Sequence, residues 1–159
     1  MDDRWRAALR EAAVSGSLAS LLSAAWLAFA GQREMAWPAA PMNATSQWLL
    51  GQREALHADH SDRRHTLAGY VVHHLAASFW AVLHARALAD RPAARRPGPA
   101  LAAAAATAAV AAVVDLKMTP ERLTPGFQHR VSAPALAGAY GCFALGLAAG
   151  SLLARRASR

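Results

Sequence analysis

Four long stretches of this 159-residue chain hold no Asp, Glu, Lys or Arg: 12–32, 66–85, 97–114 and 131–154. A bilayer core is about 30 Å thick, and a helix rises about 1.5 Å per residue. Roughly 20 apolar residues therefore cross it, and each stretch is about that long. In lipid every backbone N–H and C=O must pair within its own segment, so each stretch is read as a helix. The spacing predicts an all-α integral membrane bundle in a single domain, 1–159, with helices at about 13–31, 66–88, 99–117 and 133–154. Composition agrees. Charged residues make up 17% of the chain, against about 25% in soluble domains. Hydrophobic residues make up 55%, which excludes a disordered chain. The single cysteine excludes an internal disulfide framework and a Cys-based zinc ribbon. The competing reading is a soluble bundle with buried helices.

The four stretches differ in strength. The second and fourth are rich in Leu, Val and aromatic residues, whereas the first carries Ser15, Ser17, Ser20 and Ser23, which weaken its hydrophobic drive. The third is mostly alanine. That favours helix but adds little drive, and suits a helix inserted beside partners. Gly146 and Gly150 form a G-x-x-x-G pair, and Gly16, Ser20 and Ala24 form a small-residue stripe. Such stripes let backbones approach closely.

With four crossings, both termini and the middle loop share one side. That side holds ten basic residues (Arg4, Arg6, Arg10, Arg86, Arg91, Arg95, Arg96, Arg155, Arg156 and Arg159) and the other side seven (Arg33, Arg53, Arg63, Arg64, Lys117, Arg122 and Arg130). Short loops richer in Lys and Arg stay in the cytoplasm, so both termini are expected there. Flanking arginines account for the net charge of +7, and no basic helix with interleaved aromatics appears, so nucleic acid is not an expected partner. Arg91, Arg95 and Arg96 read as a topology anchor, with anionic lipid as the alternative. Ala28-Phe29-Ala30 has the form of a signal-peptide cleavage site, but Asp2, Asp3 and Glu11 offset the basic residues before it. A retained first helix is the expectation.

The uncharged segment 35–52 holds Pro38, Pro41, Asn43, Thr45, Ser46 and Gln47 and is not expected to span. Residues 37–41 read as a turn. Residues 42–50 read as a short helix at the outer interface anchored by Trp37 and Trp48, or as a re-entrant piece packed in the bundle.

Seven histidines are many for this length. His73 and His74 fall inside the second helix, about 10 Å from Thr66 at 1.5 Å per residue. Adjacent residues diverge by about 100° on a helix, so the two do not chelate one ion together. His74 shares a face with Tyr70 and Ser78, and His73 with Ala77, Trp80 and His84. Asp115 closes the third helix at its outer end. An ionisable group there usually faces the bundle interior with a partner. His73, His74 and Asp115 support three readings: structural hydrogen bonds, a proton or ion path, and a transition-metal site completed by His129. Heme is disfavoured, because every embedded histidine lies on one helix. Neither H-E-x-x-H nor G-x-S-x-G is present, so an enzyme is disfavoured.

The run 40–49 with Asn43, the run Gly69-Tyr70-Val71-Val72-His73-His74 with Phe79-Trp80, and Asp115 with 120–127 resemble a group of small bacterial inner-membrane proteins without assigned activity. The resemblance implies a bacterial inner membrane and no mechanism. The functional expectation is transport or ion, proton or metal handling through the outward His/Asp cluster. The alternative is an accessory subunit of a larger membrane complex, and a homo-oligomer fits either.

Overall fold

The computed structural model describes residues 2–157, so Arg159 of the basic tally lies outside the described residues. Helix α1 (Asp3–Met35) starts at Asp2, whose side chain accepts from the Arg4 amide at 3.2 Å. It ends at Ala36, whose left-handed backbone returns its N–H to Gln32 and Gly31. Three short helices follow, α2 (Ala40–Thr45), α3 (Gln47–Leu50) and α4 (Gln52–Ala55). A π-helical turn, Arg63–Leu67, runs into α5 (Ala68–Ala87). Helix α6 (Pro97–Val113) runs into a second π-helical turn, Val114–Met118. Helix α7 (Ala133–Ala157) completes the chain. No strand occurs among the described residues.

Four helical runs are long and apolar enough to cross a membrane: Asp3–Met35, Arg63–Ala87, Pro97–Met118 and Ala133–Ala157. Each coincides with one of the uncharged stretches, the fourth starting two residues inside it. The largest difference is at α1, which starts well before residue 13. Its first turns are charged, and one of them supplies Glu11 to the Arg155 guanidinium at 2.9 Å. The helix continues because charge ends an apolar stretch without breaking a helix.

Helix α1 is the spine, packed along α7 and α5. A Cβ on Gly146 would stand 2.5 Å from the Ala19 Cα, and one on Gly150 would run into the Ser15 backbone. Only hydrogen fits at these crossings, which is the close approach the glycine pair allows. Helix α6 packs on α7 and touches α5 sparingly, so α5 and α6 part on one side of the bundle.

At one end Arg4 meets Asp90 at 3.3 Å, Arg155 donates to the Leu88 carbonyl at 3.2 Å, and Arg86 lies over the Trp5 ring. At the other end Ser132 donates its N–H to Glu34 at 2.8 Å, and the Trp26 indole donates to the Ala135 carbonyl at 2.8 Å. The start of α1, the end of α7 and the α5–α6 connection therefore share one end.

The segment expected either at an interface or packed in the bundle is part buried, from Ala40 to Gln47, while Trp37, Trp48 and Leu49 are exposed. Every residue of α2 is buried. Pro41, assigned above to a turn, sits in the first turn of α2, where its missing N–H costs no helix bond. Asn43 is the lock: its amide donates to the Ala58 and His60 carbonyls at 2.8 Å each, and its oxygen accepts from Thr66 at 2.7 Å. Gln47 donates to the Thr124 carbonyl at 2.8 Å and Trp48 to the same oxygen at 3.0 Å. Side chains on Gly69 and Gly126 would strike the Met42 and Ala44 carbonyls, so α2 is clasped between α5 and the α6–α7 loop. Arg130 closes the cap with bonds to the Leu56 carbonyl and the Asp59 carboxylate.

Candidate functional site

The embedded histidines turn toward α1. His73 Nε2 lies 2.9 Å from Ser23 Oγ, and His74 Nδ1 lies 2.8 Å from Ser20 Oγ. Each hydroxyl also donates along its own helix, Ser23 to Ala19 at 2.7 Å and Ser20 to Ser17 at 3.0 Å. A hydroxyl has one proton. A serine that gives this proton to its own helix accepts from the ring nitrogen facing it. The serines that weaken the first stretch as an apolar segment are thus the partners of the histidines. A serine pair three apart on one segment, facing an adjacent histidine pair on another, was the signal available.

The other sequence candidates separate. Tyr70 packs on His74 with ring centroids 6.0 Å apart, and Ser78 lies against Gly16. Asn43 is spent on the cap. His129 is exposed, 3.1 Å from the Gln128 amide. His84 bonds Thr107 at 2.8 Å toward the opposite end. His65 bridges Asp62 at 2.7 Å and Glu54 at 3.1 Å. The His65 N–H, and then its ring, hold the Asp62 carboxyl below the usual carboxylate range. Among the described residues no group of three or more His, Cys, Asp or Glu is arranged to hold a metal ion. The structure does not bring His73, His74, Asp115 and His129 into one ligand set.

Asp115 sits in the π-helical turn after α6 and finds its partner on α7. Tyr140 donates to it at 3.1 Å, with the Trp80 indole beside the same carboxylate. No Lys, Arg or His forms an ion pair with Asp115 among the described residues. The carboxylate faces a cavity of about 470 Å³ between α5, α6 and α7, roofed by the cap. Ser23, Thr45, His73, Thr119 and Tyr140 are other polar residues of its lining, and Trp80, Phe127 and Phe143 form much of the apolar wall. The cavity opens sideways past Leu75 and Phe79, which are 62% and 57% exposed. Thr45 is only 2% exposed, yet its hydroxyl has no hydrogen-bond partner.

Tyr140, Trp80 and Thr45 were not candidates from the sequence. One signal existed for Tyr140, a phenol inside an apolar stretch, since a buried hydroxyl needs a partner. No protein-family model, curated protein or solved structure matches this chain.

Proposed function

We propose that the chain is a small integral membrane protein of a bacterial inner membrane, with both termini cytoplasmic, that takes up a partly apolar molecule from the lipid into the side-opening cavity. The observation that carries this reading is the cavity itself. Its volume, about 470 Å³, lies in the usual range for small-molecule sites, roughly 300–1,000 Å³. Its wall is aromatic and aliphatic, with a few convergent polar atoms, as such sites are. Its mouth lies between exposed apolar residues of α5, where a membrane places acyl chains. Ionisable groups at membrane depth mark substrate paths by default, and Asp115 stands at the polar end of this one. In this reading His73 and His74 pin α5 to α1 and Asp115 meets the substrate. The activity is uptake, release or transport of the molecule without a covalent step.

Native mass spectrometry of protein extracted in a mild maltoside detergent tests the reading. Wild type, after exposure to a total lipid extract of its own membrane, should carry a bound species. Ala76→Phe, which places a ring in the cavity, should emerge bare at equal monodispersity. Bare wild type after the same exposure, or an equal load in both proteins, would overturn it.

A further inference from the structure

We propose that the molecule this cavity takes is a cationic amphiphile, with its ammonium group on Asp115 and its chain leaving past Leu75 and Phe79. The inference rests on the reading above and adds the charge of the ligand. The surroundings of Asp115 and the cavity walls carry it. The Asp115 carboxylate has only neutral donors, the Tyr140 phenol and the Trp80 indole, and forms no ion pair with a cationic side chain among the described residues. An ionised carboxylate offers about four acceptor positions, so these two donors leave others open. A charge at membrane depth without a counter-charge is costly, and a ligand cation supplies what the protein does not.

The walls suit the same charge. Trp80 and Tyr140 flank the carboxylate and Phe143 lines the cavity with them. Aromatic faces attract ammonium groups, most strongly where water is excluded. An ammonium group brings three donors, which the open positions of the carboxylate accept. An anionic head would meet Asp115 as a like charge. A bare divalent ion needs several oxygen or nitrogen ligands, and no such group is assembled among the described residues.

The experiment compares chain-matched probes in maltoside micelles: bromine-tagged decylamine and bromine-tagged decanol. The reading is saturable quenching of tryptophan fluorescence, since Trp48 and Trp80 line the cavity. Wild type should bind the amine at least about tenfold more tightly than the alcohol. Asp115→Asn, which keeps the shape and the Tyr140 contact, should bring the amine to the level of the alcohol. Ala76→Phe should abolish saturable quenching by both probes. Equal binding of amine and alcohol to wild type, lost in Ala76→Phe, would overturn the charge inference and leave the cavity reading standing. No saturable quenching by either probe would overturn both. The wild-type comparison needs no substitution, so misfolding of a variant leaves the test decisive.

Discussion

Ser23 and His73 show how little a single bond between apolar helices contributes and how much it specifies. Such interhelical bonds average about 0.6 kcal/mol and reach about 1.7 kcal/mol. The bond at 2.9 Å joins His73 to Ser23 and so specifies which face of α5 meets α1. A double-mutant cycle of Ser23→Ala and His73→Ala, read by unfolding in mixed micelles, should give a coupling of about 0.5–1.5 kcal/mol. Zero coupling would remove the bond from the account. The same variants bear on the metal reading. His73→Ala/His74→Ala should carry the same transition-metal content as wild type by elemental analysis. A stoichiometric metal lost in the variant would return both residues to a ligand role. Identity alone did not reveal these partners. His73 and His74 stood out as polar groups in an apolar run, but their partners depend on how α1 is rotated, and Ser15, Ser17, Ser20 and Ser23 look alike in sequence.

The helices themselves were legible because a bilayer leaves one solution for an uncharged run of about 20 residues. The first turns of α1 were not, because charge marks where a span leaves the apolar layer, while the helix is free to continue. The α2–α3 segment was legible as non-spanning through Pro38 and Pro41. The sequence left its packing open between an interface and the bundle, because the burial of α2 rests on Asn43 and Gln47 reaching carbonyls up to 77 positions away. Packing between α1 and α7 makes a sharp comparison within one helix. Gly150→Ala puts a methyl group into the Ser15 backbone, whereas a Cβ on Gly141 meets nothing within 4 Å. Gly150→Ala should cost about 1–3 kcal/mol through forced separation of the helices. Gly141→Ala should be neutral, or stabilising by up to about 1 kcal/mol through helix propensity. Thermal unfolding in micelles reads both, and equal behaviour of the two would mean that α1 and α7 do not cross there.

The whole bundle has one end carrying Arg4, Arg6, Arg10, Arg86, Arg91, Arg95, Arg96, Arg155 and Arg156, and another built from the hydrogen-bonded cap. On the positive-inside rule the arginine end faces the cytoplasm. Single cysteines at the exposed positions Ser61 and Ala93, in a Cys142→Ser background, test this with a membrane-impermeant maleimide on intact cells. Ser61→Cys should label at once and Ala93→Cys only after permeabilisation. The reverse pattern would invert the protein. The order of the elements along the chain also sets a schedule. The chief partner of α1 is α7, and the end of α1 lies nearly a hundred residues before α7 begins. Synthesis adds about 5–20 residues per second, so α1 waits roughly 5–20 s for its main companion. The α5 histidines arrive well before α7. They are partners of Ser20 and Ser23 that the chain order supplies before α7, so neither bond needs any residue of α7 to form.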